Sequence, residues 1–328
     1  MRVEQSKGMN IRTGSRMKKM FTILLKTIGV IAIAIVLFFA TVFIVNVISN
    51  KSEQGKIHSY GQLVPVDGKN MNVLIQGKGE ETVVLLPGYG TGAPALDFKP
   101  LVEELSPFYR VVVIEPFGYG LSDGTDKERS LKNIVSEIHE ALQQLNIHRY
   151  TLMGHSIAGI YGLDYVNTYP NEVSAFAGID SSVPTQGGVD EELPIKSIEF
   201  LEQSGLLRLI KKVSGDPYAG LPYDDETKDQ MRMISNKNSN NSTIMNEMKN
   251  FSANFKAVKN LTFPKNLPII LFVQANDTET KGWIPLHEEQ IKNSVHEKVV
   301  TLEGNHYLHH TKSKEIVESF REFMKEVK

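Results

Sequence analysis

The spacing of hydrophobic and polar positions changes several times along the chain. Between Thr27 and Asn50 no residue is charged, and the run TIGVIAIAIVLFFATVFIVNVI is apolar almost throughout. At about 1.5 Å per residue, roughly 22 residues of helix reach about 33 Å, which is enough to cross the hydrocarbon core of a bilayer. The pattern therefore predicts one transmembrane helix over 21–49. A cleaved signal peptide is the alternative, although the run exceeds the usual length of about 7–15 apolar residues in such peptides.

The charges that flank this apolar run indicate its orientation. Residues 1–26 carry seven of the 36 lysines and arginines but one of the 38 acidic residues, whereas the charges just after the run nearly cancel. By the positive-inside rule, 1–20 is expected to be a basic cytoplasmic tail. We predict a single-pass protein of the cell membrane, with a polar linker over 50–60 and the remainder of the chain outside.

From 61 to 328 short apolar runs alternate with amphipathic stretches. Asp67-Gly68 between two alternating runs is typical of a β-hairpin. The predicted strands are Gln62–Val66, Met71–Gln76, Thr82–Leu86, Tyr109–Ile114, Tyr150–Met153, Val173–Ile179, Pro268–Gln274 and Lys298–Leu302. Helices are predicted at Ser130–Leu145, Ile157–Tyr169, about 285–294 and 312–327. Because strands alternate with helices, we expect an α/β fold with a mostly parallel sheet and helices on both faces.

The alternation stops between about 183 and 264. Three stretches in this insertion have helical spacing, namely Ile195–Gln203, Leu206–Val213 and Ile244–Phe255. An all-helical insertion of this kind predicts a cap over the carboxyl edge of the sheet, where such folds bind ligands. Its apolar residues are expected either to line an acyl pocket or to form the core of the cap: Phe200, Leu201, Leu206, Leu207, Met245, Met248, Phe251 and Phe255.

Two segments match the G-x-S-x-G pattern of a serine nucleophile, which needs a sharp strand-to-helix turn. GLSDG, around Ser122, matches it literally but follows a loop and precedes a charged stretch. GHSIA, around Ser156, closely follows a predicted strand and directly precedes an apolar helix. Ser156 is therefore the better candidate, and a plain helix-capping serine is the alternative.

Several ordered segments extend this observation: LLPGYG at 85–90, EPFGYGLSD at 115–123, GHSIAG at 154–159, VQAND at 273–277 and GNH at 304–306. In this order and spacing they resemble the α/β-hydrolase family, in its serine-nucleophile branch, over about residues 60–328. The resemblance implies an α/β-hydrolase fold with a helical cap, here preceded by one transmembrane helix.

The resemblance also implies a catalytic triad. A serine hydroxyl needs a base, and His306 follows the last strand, where the family carries its catalytic histidine. Asp277 matches the family's usual acid position, and Asp180, at the end of the strand Val173–Ile179, is the alternative. His309 and His310 are expected at the surface or behind the catalytic residues.

The oxyanion of an acyl-transfer intermediate needs two N–H donors. We expect them from the backbone of Ile157 and, by resemblance, of Tyr89. The glycine-rich segment 88–93 also fits a dinucleotide-binding pattern, but that alternative leaves the segments around 154–159, 273–277 and 304–306 unexplained.

Composition narrows the possible chemistry. The chain has no cysteine, which excludes a thiol nucleophile, a disulfide framework and an iron–sulfur cluster. The chain after residue 26 has a net charge of −8, so no nucleic-acid partner is expected. We also expect no metal and no cofactor.

The sequence thus predicts a membrane-anchored serine hydrolase that cleaves a small-molecule carboxylic ester or amide through an acyl-enzyme. A proline-iminopeptidase-like aminopeptidase and a non-catalytic ligand-binding module on the same scaffold are the alternatives.

Overall fold

The structure is a computed structural model that describes residues 2–190, 193–239 and 241–327, with side chains described from Arg16 onward. The chain begins with one long helix, α1 (Arg2–Gln54). Most of the predicted basic tail, through Ser15, has its side chains outside the described set. The predicted linker is shorter than expected, because α1 continues through its first residues to Gln54.

The helix α1 contains the predicted membrane segment. Within the described residues, Arg16–Gln54 is the one helix long and apolar enough to cross a membrane, and its most apolar stretch is not buried against the rest of the protein. Such a helix occurs both in membrane anchors and in signal sequences.

Eight strands form one sheet. They are β1 (Gln62–Val66), β2 (Lys69–Gln76), β3 (Thr82–Leu86), β4 (Arg110–Glu115), β5 (Tyr150–His155), β6 (Val173–Ile179), β7 (Ile269–Gln274) and β8 (Glu297–Leu302). Their spatial order is β1-β2-β4-β3-β5-β6-β7-β8. The hairpin β1–β2 and the pair β2–β4 are antiparallel, and every other pair is parallel. The predicted fold class is confirmed.

Helices cover both faces of the sheet. The remaining helices are α2 (Pro94–Asp97), α3 (Lys99–Leu105), α4 (Leu131–Gln144), α5 (Ala158–Thr168), α6 (Ile195–Gln203), α7 (Leu206–Val213), α8 (Asp225–Asn238), α9 (Ser242–Val258), α10 (Trp283–Ile291), α11 (Leu308–Thr311) and α12 (Ser313–Glu326). One apolar core lies between the sheet and α4, α5 and α10. The other lies between the sheet and α3 and α12. Strands buried on both faces explain the continuous apolar runs in the sequence.

The helices α6, α7, α8 and α9 lie between β6 and β7 and form the predicted insertion. The sequence pattern missed α8 because its buried apolar positions are few, with Met231 and Ile234 the main ones. Its start is fixed by Asp224, whose side chain accepts a hydrogen bond from the Thr227 N–H. When a helix depends more on its capping hydrogen bond than on an apolar stripe, the helical spacing of apolar residues in its sequence is weak.

The segment 115–123 is built around a buried carboxylate. Glu115, at the end of β4, accepts hydrogen bonds from Tyr60 Oη, Asn72 Nδ2 and the N–H groups of Ala95 and Leu121. Burial raises the pKa of Glu115, while these donors oppose the increase. Four donors therefore compensate the cost of burying this group.

Gly120 packs against this carboxylate at φ +54°, where any Cβ would overlap the side chain of Glu115. Gly68 in the β1–β2 turn has a similar φ of +73° but open space around it.

We expect Gly68→Ala to lower the free energy of unfolding by about 1 kcal/mol, from backbone strain alone, and Gly120→Ala by about 2–4 kcal/mol. Thermal and urea unfolding in detergent measure both variants, and equal losses would contradict this packing.

Candidate active site

Ser156 lies at the sharp turn between β5 and α5. Its backbone has φ +54°, a left-handed conformation that non-glycine residues adopt rarely. Its N–H donates to the carbonyl of Ile179 at 3.2 Å, which links the turn to the end of β6. Gly154 is required before the turn, because a Cβ there would lie 2.9 Å from the Cβ of Ala158. The turn thus holds the serine hydroxyl above the carboxyl edge of the sheet.

The structure brings Ser156 and His306 together. His306 Nε2 lies 2.9 Å from Ser156 Oγ, and His306 Nδ1 lies 2.7 Å from Asp180 Oδ2. The three residues follow β5, β6 and β8, and parallel strands bring such ends to one edge of a sheet. This geometry can transfer a proton from the hydroxyl to an imidazole whose other nitrogen is held by a carboxylate.

The carboxylate partner of His306 is therefore the alternative acid, and the expectation for Asp277 is corrected. Asp277 instead accepts a hydrogen bond from the Thr280 N–H at 2.7 Å, as in a local turn. Asp180 is buried, and its second oxygen accepts from the Gln274 N–H at 2.9 Å and from Trp283 Nε1 at 2.7 Å. Both of its oxygens are thus fixed in place.

Two residues that line the cavity beside the serine have backbone N–H groups without an acceptor among the described residues. Tyr89, Ser156 and Ile157 all line it. Across the part of the chain that the structure describes, the N–H groups of Tyr89 and Ile157 donate no intramolecular hydrogen bond. Ile157 also directly precedes α5, so its N–H lies at the positive end of that helix. Both donors are available to a ligand oxygen.

The loop that carries Tyr89 packs against the turn at Ser156 and is connected by hydrogen bonds to the cap. A Cβ on Gly88 would lie 2.6 Å from His155 Nδ1, so the loop approaches the turn as closely as a glycine permits. The Gly90 N–H donates to Tyr119 Oη at 3.3 Å, and Tyr119 Oη donates to the buried Glu247 of α9 at 2.7 Å. This chain of hydrogen bonds connects the loop to the cap.

The cavity above Ser156 has a volume of about 750 Å³. The insertion contributes most of its apolar wall, as the side chains of Leu193, Ile195, Met248, Phe251 and Phe255. The sequence leaves open whether the apolar residues of the insertion line a pocket or form the core of the cap. Met248, Phe251 and Phe255 line the cavity, whereas Met245 is buried in the cap. The cavity therefore combines a nucleophile with an apolar surface.

Comparison with known proteins agrees with this geometry. Residues 81–255, just over half of the chain, match the sequence profile of the α/β hydrolase fold. The chain belongs to the α/β hydrolase family. An uncharacterized protein of Bacillus subtilis (strain 168), YbdG, is 26% identical over 95% of this chain and 100% of its own length.

Other α/β hydrolases are similar over shorter stretches or in fold alone. A 2-hydroxy-6-oxo-6-(2'-aminophenyl)hexa-2,4-dienoic acid hydrolase of Metapseudomonas resinovorans is 25% identical over 54% of this chain, which spans 59% of that relative. The enol-lactonase of Burkholderia xenovorans LB400 has a TM-score of 0.58 at 14% identity and covers 80% of this chain and 100% of its own.

Ser122, in the literal motif match, has a structural role in the fold. It is buried, accepts a hydrogen bond from the Asn72 N–H at 2.8 Å and donates to the Glu115 carbonyl at 2.5 Å. The first bond joins the segment after β4 to β2, and the second joins it to the end of β4. The hydroxyl is thus occupied by backbone groups rather than by a base.

His309 and His310 are both buried, which excludes the surface position among the two expected for them. Their Nε2 atoms lie 2.7 and 2.8 Å from the two carboxylate oxygens of Asp97. Burial alone would raise the pKa of Asp97, but the two imidazoles hold it below its usual value. The carboxylate comes from a residue more than 200 positions earlier, so sequence spacing gave no sign of this cluster.

Asp97, His309 and His310 also place three possible metal-ligand atoms within 4.8 Å of one another. Both carboxylate oxygens are already paired with imidazole nitrogens at hydrogen-bond distance. These bonds anchor α11, the helix just after His306, while the buried Nδ1 of His309 has no hydrogen-bond partner among the described residues. His155 supports the same loop, because its Nε2 lies 3.1 Å from the His306 carbonyl.

The buried histidines make stability dependent on pH. Burial lowers the pKa of His155 and His309, and neighbouring histidines lower it further despite the opposing influence of Asp97. Below about pH 6.5 the unfolded chain binds protons at these two sites that the folded chain does not. We expect the free energy of unfolding to fall with decreasing pH there, by at most roughly 2.7 kcal/mol per pH unit for two protons.

Thermal unfolding between neutral and mildly acidic pH measures this slope. His155→Gln removes one of the two groups and should reduce the slope by up to half, whereas the exposed His148→Gln should leave it unchanged. An identical slope in the His155 variant and the wild-type protein would rule out this origin.

Proposed function

We propose that this protein is a membrane-anchored serine hydrolase that cleaves carboxylic esters through an acyl-enzyme. The observation that supports it most strongly is the pair of contacts at His306, with Ser156 Oγ at 2.9 Å and Asp180 Oδ2 at 2.7 Å. A serine with only a structural role has no need of a base in this position.

The geometry supports a specific sequence of steps. His306 Nε2 accepts the proton of Ser156 Oγ as the oxygen attacks the carbonyl carbon, and Asp180 stabilises the imidazolium. The N–H groups of Tyr89 and Ile157 donate to the tetrahedral oxyanion. His306 then protonates the departing alkoxide, leaving an acyl group on the serine. Water, deprotonated by the same imidazole, releases the acid and restores the hydroxyl.

An ester with an apolar acyl group fits the cavity best. Its wall carries Met248, Phe251 and Phe255, and Tyr89 stacks edge-on against Phe251 with ring centroids 4.5 Å apart. The dienoic acid hydrolase and the enol-lactonase act on different compounds, so these similarities support hydrolysis in general. The preference for an apolar acyl group is supported by the cavity.

We further propose that α1 anchors the protein, with its N-terminus cytoplasmic and the hydrolase domain outside. The charge-free stretch from Thr27 to Asn50 supports the anchor, and the basic residues before it support the orientation. A cleaved signal sequence would have no reason to pack against the mature domain, whereas Phe39, within the apolar run of α1, stacks edge-on against Phe200 of α6.

Covalent labelling tests the nucleophile. A fluorophosphonate probe should modify the purified full-length protein once, and Ser156→Ala should abolish the labelling because the variant lacks the hydroxyl that is hydrogen-bonded to His306. Ser122→Ala is the matched control from the second motif and should still be labelled. Labelling that persists in the Ser156 variant, or its absence from folded wild-type protein, would contradict the proposal.

Two aspartate variants test the acid. Asp180→Asn should lower kcat by about 10⁴-fold, because an amide favours the wrong imidazole tautomer and leaves the charged form unsupported. Asp277→Asn should stay near wild-type activity, since that side chain accepts a hydrogen bond from the Thr280 N–H, whereas His306 is paired with Asp180. Steady-state hydrolysis of a nitrophenyl ester measures both, with unfolding curves as the control. The reverse ranking would assign the acid to Asp277.

A further inference from the structure

The cap helix α7 is amphipathic, but its apolar face points outward and its basic face points toward the protein. A helix that packs on a protein core has the opposite orientation. Leu206, Ile210 and Val213 share one face at helical spacing, and Ile210 and Val213 are 45% and 78% exposed. Arg208 and Lys211, on the opposite face, are partly buried, as are Leu206, Leu207 and Leu209. No side chain of α7 is fully buried. A soluble cap would instead turn its apolar face inward.

The polar face of α7 packs on α1. Arg208 donates to Asn46 Oδ1 at 2.9 Å, to Asn50 Oδ1, and to both carboxylate oxygens of Glu53 at 2.6 and 2.8 Å. Gly205 permits close approach, because a Cβ there would lie 2.7 Å from the Cβ of Asn46. These contacts with α1 fix the orientation of α7. The apolar face of α7 therefore points away from α1.

The contacts with α1 extend into its predicted membrane segment. Phe200 of α6 stacks edge-on against Phe39, with ring centroids 5.9 Å apart, and is still 53% exposed. Phe39 lies nine residues before Ile48, the end of the apolar run, which is about 14 Å along the helix axis. The exposed apolar side chains of α6 and α7 therefore lie beside the outer part of the span.

We infer that α7 and the C-terminal half of α6 lie in the lipid interface of the membrane that α1 spans, and that the catalytic cavity takes its ester from that interface. This rests on the proposed anchoring and hydrolase activity. Helices with a basic face and an exposed apolar face are typical of membrane interfaces. The exposed Lys212 complements the phosphate groups of anionic lipids.

The position of the cavity supports delivery of substrate from the membrane. Leu193 and Ile195 line the catalytic cavity where α6 begins, and Leu193 is exposed. Five residues of helix, about 8 Å, separate Ile195 from Phe200. An apolar ester in the interface thus lies close to the cavity without having to cross water.

The absence of cysteine permits a matched labelling test with the full chain. Val36 of α1, Val213 of α7 and Val295, before β8 at the opposite edge of the sheet, are 66%, 78% and 72% exposed. Each is replaced singly by cysteine, labelled with a nitrobenzoxadiazole dye and reconstituted into phosphatidylcholine–phosphatidylglycerol vesicles containing nitroxide lipids. We expect quenching at positions 36 and 213 and none at 295.

Each of the other quenching patterns would contradict a specific part of this proposal. Quenching at 36 without quenching at 213 would retain the anchor and reject the membrane position of α7. A blue-shifted but unquenched dye at 213 would mean that protein, such as a second copy of this chain, covers the helix, which also rejects the inference. No quenching at 36 would reject both the anchor and the inference.

Kinetics test the delivery of substrate. Val213→Asp should lower kcat/KM for nitrophenyl palmitate in these vesicles by about tenfold or more, because a charge replaces an inserted apolar side chain. Its hydrolysis of soluble nitrophenyl acetate should not change, and Val295→Asp should change neither rate. Equal losses on both esters, or no loss on palmitate, would overturn delivery from the membrane. An inactive wild-type protein would instead reject the proposed hydrolase.

Discussion

The candidate site depends on the left-handed backbone at Ser156. A φ of +54° at a residue with a side chain costs free energy, and the turn persists because the sheet and α5 fix both of its ends. The same turn raises the hydroxyl toward His306 and leaves the N–H of Ile157 unpaired. The proposed nucleophile and the proposed oxyanion donor are therefore consequences of one local conformation.

The partners of Ser156 come from distant parts of the chain and are held by buried polar groups. Trp283 fixes Asp180, and Asp97 fixes the helix that follows His306 through His309 and His310. Each of these bonds satisfies a group that would be costly to bury alone. The imidazole is thus positioned before any substrate binds, which reduces the reorganisation needed during reaction.

Local patterns predicted most of the fold, and their failures have physical causes. Strands such as β3 and β6 follow directly from apolar runs, and Asp67-Gly68 predicts the hairpin. A motif next to a strand end predicts Ser156, and the family resemblance of the segment after the last strand implies His306. The choice between Asp180 and Asp277 depends on which strand end faces the imidazole, and the Asp97 cluster depends on long-range packing. Neither leaves a periodic signal in the sequence.

The structure of the protein after reaction with a phosphonate ester tests the central claim most directly. We expect a covalent bond from phosphorus to Ser156 Oγ, with the phosphoryl oxygen about 2.7–3.1 Å from the N–H nitrogens of both Tyr89 and Ile157. His306 should remain bonded to Asp180. A phosphoryl oxygen that points away from both N–H groups, or a bond from phosphorus to another residue, would contradict the account.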